Sequence, residues 1–267
     1  MRAIYIVWYR DILRFWRDRA RIAGSLAQPL LFLIVFGAGL GSSLGGAFSA
    51  NGSDLSYLQF VYPGVIGMAV LFAAVFGALS IVWDREFGFL KEILVAPVDR
   101  SSVAIGKALG GATQAMIQGL ILLILAPLVG VKLTIGSVLL LLVFLFVLAF
   151  ALSCMGVALA SRMKSMQGFQ VVMNFLMMPM FFLSGSLFPL AGLPQWMTVL
   201  TRLDPVSYGM DPLRRIILGA GLPDGAADKL GLTIFGQVLP IGLEAVILLV
   251  FGAACLWFAV LNFQRRD

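Results

Sequence analysis

Four polar side chains interrupt otherwise apolar runs: Gln114, Gln118, Asn174 and Glu244. Gln114 and Gln118 are four residues apart, so a helix puts them on one face. At membrane depth such groups face protein or a water-filled path. The amides suit hydrogen bonds between helices, and secondarily contact with a passing ligand. Glu244 is the only carboxylate inside a predicted span. It reads either as a substrate or proton group, or as a partly wet acid near the outer boundary. Groups for other chemistry are missing from the sequence. It has no histidine, which removes His-based metal sites and general bases. Cys154 and Cys255 lie in apolar runs and read as small buried side chains, not a disulfide. Gly106-Lys107 is followed by Ala108 and lacks the upstream glycine of a phosphate-cradling loop, so no ATP site of that kind is present. No cofactor or metal is expected on this chain.

A charged stretch, DREFGFLKEILVAPVDR (84–100), stands between two hydrocarbon-like segments. It reads as a short helix stopped by Pro97.

The elements that position these residues follow from composition. Of 267 residues 61% are hydrophobic and 12% charged, with mean hydropathy +1.01. This describes an integral membrane protein. Alternation of the barrel type is absent, so the expected fold class is all-α, a single transmembrane domain. Six transmembrane helices are predicted, at 22–40, 60–83, 109–129, 137–160, 169–187 and 236–261. Residues 1–21 form an amphipathic helix with Arg10, Arg14, Arg17 and Arg21 on one face and Ile4, Trp8, Ile12 and Phe15 opposite. Lying in the membrane interface is its favoured placement, packing on the protein as a cytoplasmic helix the other. Gly106 and Gly110 have the spacing that lets helices approach closely. Residues 188–235 are broken by prolines and read as an outer helical hairpin and loop, re-entrant or interfacial. Fourteen of the 19 Lys and Arg residues fall in the first 21 residues, the loops after the second and fourth spans, and the tail. That bias places these segments, and both termini, in the cytoplasm. The net charge of +6 fits basic loops facing anionic lipids, and no nucleic-acid partner is expected.

Two long motifs now carry a resemblance. DREFGFLKEILVAPVDRSSVAIGK (84–107) resembles the cytoplasmic signature of ABC type-2 transporter membrane subunits. FLSGSLFPLAGLPQWMTVLTRLDPVSYGMDPLRR (182–215) resembles their outer segment. The family includes bacterial drug, lipo-oligosaccharide and polysaccharide exporters. One departure is Asp204-Pro205, where the family often has Asn-Pro. The resemblance implies a coupling helix between the second and third spans, seated in a separate ABC ATPase subunit that holds ATP and Mg. Its residues here are Glu86, Phe87, Gly88, Phe89, Leu90, Lys91, Glu92, Leu94 and Pro97. It also implies a second permease copy, identical or paralogous, a path lined by the first, second and fifth spans, and residence in the bacterial inner membrane among its lipids. The expected substrate is an amphipathic drug or lipid moved outward; the alternative is a polysaccharide or glycolipid. The lining separates these, since carbohydrate needs aromatic and hydrogen-bonding walls and drugs an apolar cavity. A membrane-embedded enzyme would need a cluster of acidic, His or Cys groups. An ion-driven transporter would need related halves and more buried carboxylates.

Overall fold

Without water in hydrocarbon, each backbone N–H and C=O must be paired inside its own segment, so apolar runs become helices. The computed structural model describes residues 2–40, 56–87, 99–188, 193–219, 231–234 and 237–264. Its helices are α1 (Arg2–Arg17), α2 (Arg19–Val35), α3 (Tyr57–Gly77), α4 (Leu79–Glu86) and α5 (Arg100–Ile124). They continue as α6 (Ile135–Ala160), α7 (Met166–Leu183), α8 (Gln195–Leu203), α9 (Ser207–Gly219) and α10 (Ile241–Gln264). Two short strands, β1 (Thr233–Ile234) and β2 (Gln237–Val238), pair antiparallel with Thr233 opposite Val238.

Five helical segments are long and apolar enough to cross a membrane: Tyr57–Glu86, α5, α6, α7 and α10. The first of these joins α3 to α4 through Ala78, whose N–H still reaches the Val75 and Phe76 carbonyls. The expected span at 22–40 differs. Its apolar helix, Ile22–Val35, is shorter than the ~20 residues of a straight crossing. Pro29 removes one helical hydrogen bond, and a π-helical turn follows at Phe36–Leu40. The helix of the expected 109–129 span begins earlier, at Arg100, and ends at Ile124, with a 3-10 turn over Ala126–Val129. Hydropathy marks the hydrocarbon-length part only, and the helix runs on through polar residues 100–107.

Starts are fixed by side chains. Ser56 and Gln59 form a reciprocal capping box at α3, with bonds of 3.3 and 3.0 Å. Thr134 caps α6 and Ser165 caps α7.

The core forms around α3. Tyr62, Val65, Ile66, Val70, Leu71, Ala74 and Val75 are all fully buried, because α2, α5, α6 and α9 pack around this helix. The most apolar window of Tyr57–Glu86 is 83% buried, against 22% for α10. The chain therefore encloses α3 itself and leaves most of α10 for surroundings outside the chain. Helix α9 is buried except at Gly219, between α3, α6 and α10. A Cβ at Gly67 would overlap Met210 Sδ, so glycine is what admits α9 against α3. Preceding it, α8 is exposed, with Trp196 and Leu203 on the surface.

Helix α1 lies on the N-terminal half of α5. A Cβ added at Gly106 would lie 2.8 Å from Val7 Cβ, and one at Gly110 3.1 Å from Asp11 Cβ. The Gly106/Gly110 spacing thus serves the docking of α1. Tyr5, Ile6, Tyr9 and Trp16 stay exposed, so α1 is both packed on the protein and apolar on a free flank.

Candidate functional site

Helix α1 carries Asp11 on its packed edge, with Trp8 and Phe15 one turn to either side. Trp8 Nε1 donates to Thr113 Oγ1 at 3.0 Å, which sets the register of α1 on α5. Asp11 then meets Lys107 of α5, Nζ to Oδ1 at 3.0 Å. Lys107 also reaches Asp84 Oδ2 of α4 at 3.1 Å and Ser80 Oγ at 2.9 Å. Arg10 joins Asp84 at 2.8 Å and Arg14 lies 3.7 Å from it. The Lys107 side chain is only 2% exposed and that of Asp11 4%. Charges this buried are tolerated only when paired. Five ionic side chains therefore tie α1, α4 and α5 into one unit.

The next residues reach the other helices. The Arg85 guanidinium donates to the carbonyls of Ala160 at 3.1 Å and Ser161 at 3.1 Å, and also to that of Met163. Ala160 ends α6, Ser161 caps it and Met163 follows, so the guanidinium sits where the helix runs out of donors and meets its negative end. Glu86 Oε2 accepts the Met166 N–H at 2.9 Å, capping the start of α7. Beyond residues 88–98, Arg100 donates to the carbonyls of Phe263 at 2.7 Å and Gln264 at 3.1 Å, at the end of α10. Asn262 Nδ2 to Ser161 Oγ at 3.1 Å joins the ends of α10 and α6. Both flanks of the charged stretch are thus fastened to the ends of α6, α7 and α10.

Among the expected coupling residues, Glu86 is this cap rather than a free charge. Phe87 is 57% exposed and packs on Trp83 at 5.1 Å. Gly88, Phe89, Leu90, Lys91, Glu92, Leu94 and Pro97 lie outside the described residues. Gln114 Nε2 approaches the Asp11 carbonyl at 3.5 Å, and Gln118 Nε2 donates to Ser25 Oγ of α2 at 2.6 Å. Both amides make interhelix bonds, and both also line a cavity of about 280 Å³ walled by α1 to α5. Asn174 is exposed on α7, on the face that carries Val171, Phe175 and Met178.

Glu244 is apart from all of these, beside α9. It is fully buried, not partly wet, against Asp211 and Arg215. Arg215 donates to the Leu239 carbonyl at 2.8 Å, and Asp211 accepts the Leu232 N–H at 2.9 Å. The two bonds fasten α9 to the segment before α10, and Glu244 of α10 packs beside them with no hydrogen bond to either carboxylate oxygen among the described residues.

The turn between α8 and α9 holds Asp204, which accepts the Val206 N–H at 3.0 Å. Burial pushes its carboxyl up to about 7, against the pull of the Val206 N–H and the Ser207 hydroxyl. A folded pKa above the unfolded value of ~3.9 means the folded chain holds the proton more tightly. Stability from this group is full below pH ~4 and falls as pH rises to about 7. Asp204→Asn keeps an acceptor for Val206 and removes the titration. It is expected to match the parent at pH 4 and exceed it at pH 8, by up to about 4 kcal/mol. Thermal unfolding in detergent at the two pH values checks this; equal gaps at both would refute it.

The model of the family described as ABC-2 type transporter matches residues 2–218. The chain belongs to that family. As an ABC-2 type chain, it is similar to nodulation protein J of Rhizobium meliloti (strain 1021), at 28% identity over 220 residues covering 81% of each chain. It is also similar to the inner membrane transport permease YadH of Escherichia coli (strain K12), at 28% over 222 residues, 81% of this chain and 83% of the relative. Nodulation protein J of Rhizobium leguminosarum bv. trifolii is 26% identical over 246 residues, 91% of each chain. The chain is a membrane permease of an ABC transporter, and ABC-2 permeases are not themselves the ATPases of their complexes.

Sequence reasoning on this ABC-2 permease missed Asp11 and Lys107 as a pair, and the carbonyl acceptors of Arg85 and Arg100. One signal for Asp11 was available. It is an acid on the same helical stripe as Ile4, Trp8 and Phe15. Lys107 sits between Gly106 and Ala108, among side chains too small to shield it, and so implied a buried partner.

Proposed function

We propose that this permease is the path-forming subunit of an ATP-driven exporter, with residues 84–100 as the segment that a separate ATPase subunit moves. In this reading the chain crosses the membrane six times, with α2 as the first and least complete crossing. Both termini and the charged stretch face the cytoplasm of a bacterial inner membrane. Helices α8 and α9 form an outer hairpin, with α9 shielded by protein as a non-spanning helix must be. Two copies, identical or paralogous, flank a central path. The exposed amide of Asn174 on α7 supports this, since an amide facing lipid is costly and one facing a path is not.

One observation carries the coupling role: Arg85, Glu86 and Arg100 bind the ends of three different helices. A displacement of the segment between them pulls α6, α7 and α10 together, while Asp84 and Lys107 carry α1 and α5. Such fastening at both flanks is what a rigid-body transition requires. The moving ligand is the nucleotide-driven partner, which must prefer one state of the segment.

Docking and internal fastening are separable by mutation. Glu92→Lys reverses a charge that the family resemblance assigns to the docking face. Co-purification with the cognate ATPase subunit is expected to fall about tenfold, the effect of a ~1.4 kcal/mol loss, with membrane insertion intact. Unchanged association together with unchanged substrate-stimulated hydrolysis would overturn the docking role.

A further inference from the structure

Helix α1 divides its free surface in two. Tyr5, Ile6, Tyr9, Leu13 and Trp16 form an exposed apolar stripe. Beside it Arg10, Arg14 and Arg17 recur at steps of four and three, which puts them along one edge. These arginines, with Leu13 and Asp18, line an open pocket of about 500 Å³. The ionic unit of α1, α4 and α5 does not exhaust this edge. Arg10 gives one Nη to Asp84, and its Nε lies 4.0 Å from Asp11. Arg14 stands 3.7 Å from Asp84, so donors remain on both guanidinium groups. The Arg14 guanidinium also lies over the Trp83 ring at 5.2 Å, which holds it at the pocket wall. Arg17 has no hydrogen bond or ion pair among the described residues. Three arginines against one aspartate leave the lining positive.

We propose that this edge is a binding site for the phosphate of an anionic phospholipid headgroup, with the acyl chains alongside the apolar stripe. A phosphodiester accepts from planar guanidinium forks, and such charge-assisted bonds are the strong ones. An amphiphile matches both halves of the free surface, whereas an acidic protein face would match the arginines alone. Depth agrees. Arg17 precedes Ile22, where the apolar part of α2 begins, by five residues, or ~8 Å of helix. That is close to the thickness of one headgroup layer. The exposed Tyr5, Tyr9 and Trp16 are the residue types that settle at this level. A bound phosphate adds one member to the alternating series of Asp11, Lys107, Asp84 and the arginines, so lipid charge enters the unit that holds α1 on α5. The leaflet follows from the orientation proposed above; the site itself does not depend on export.

The test places the full chain in phosphatidylcholine nanodiscs with one of two photoactivatable lipids, each with a diazirine at the same position near the headgroup. One is a phosphatidylglycerol. The other is a phosphatidylcholine, whose phosphate carries its own counter-charge. Labelled peptides are mapped by mass spectrometry. Phosphatidylglycerol is expected to label the peptides that hold residues 10–18 about tenfold more, with competition by the unlabelled lipid and none by inorganic phosphate. Arg17→Gln leaves the ionic unit intact and is expected to cut that preference about fivefold, the effect of ~1 kcal/mol for one arginine near an anionic surface. Arg2→Gln removes a charge from the same helix outside the pocket and should change the preference less than twofold. Equal labelling by the two lipids, or equal losses in the two variants, would overturn the site. Competition by inorganic phosphate would make it a site for the free anion, and loss of labelling on binding the cognate ATPase subunit would make the edge a protein dock; either result sinks the lipid assignment. The exporter reading stands or falls separately, on substrate-stimulated hydrolysis.

Discussion

Lys107→Met is expected to cost the protein about 3 kcal/mol of stability, the lower part of the range for breaking a buried ion pair. Among the described residues the lysine is the cation nearest Asp11, at 3.0 Å, and it bridges to Asp84 at 3.1 Å. Methionine matches its length, so packing changes little and the loss reports the charge. For a chain of this size that corresponds to a fall in Tm of about 6–12 °C. Asp84 still has Arg10 and Arg14, whereas Asp11 keeps Arg10 Nε at 4.0 Å, so the loss falls mainly on Asp11. Adding Asp11→Asn to Lys107→Met should therefore recover much of the loss. Thermal unfolding of both variants in detergent makes the comparison. A single variant as stable as the parent, or a double variant worse than the single, would show that Asp11 finds water instead of needing Lys107.

Arg85→Leu is expected to separate folding from coupling. The guanidinium serves three carbonyls at the end of α6, so stability should drop by about 2 kcal/mol, the range for hydrogen bonds to a charged group. The larger effect is on transmission. With the partner ATPase bound, stimulation of hydrolysis by substrate should fall about tenfold, a coupling loss of ~1.4 kcal/mol. Basal hydrolysis and subunit association should persist. Arg85→Lys should not rescue coupling, because an ammonium is a compact point charge and cannot span the acceptors as the planar fork does. Coupling that survived Arg85→Leu would place transmission elsewhere, with the Asp11–Lys107–Asp84 unit as the next candidate.

The crossing helices were legible because a hydrocarbon-length apolar run has one good solution, and α6 and α10 show it. The interhelix role of Gln114 and Gln118 was legible for the same reason, since amides at that depth need partners. What stayed hidden depends on chain separation. Asp11 and Lys107 are 96 positions apart, and no local pattern pairs them. Arg85 and Arg100 bind backbone carbonyls, which every sequence offers everywhere, so their acceptors leave no trace in residue types. Glu86 accepts the Met166 N–H, and that cap on α7 likewise leaves no trace in residue types. The cavity was hidden because its walls come from five helices, α1 to α5, and residues 24–29 read simply as part of the first span. Asp204 was noticed as a departure from Asn, but the burial that makes it titrate near neutrality comes only from the packed turn.

The grip of Arg100 on the carbonyls of Phe263 and Gln264 also bears on biogenesis. Donor and acceptor are 163 and 164 positions apart. At about 5–20 residues per second the ribosome needs on the order of ten to thirty seconds to deliver the acceptor after the donor. Through that interval α5 stands in the bilayer with its Arg100 end unanchored. An ATPase subunit that reads the finished shape of this segment would meet it only after α10 has been inserted. Assembly is then ordered by the chain itself, and truncation before residue 263 should yield a permease that inserts and yet recruits its motor poorly.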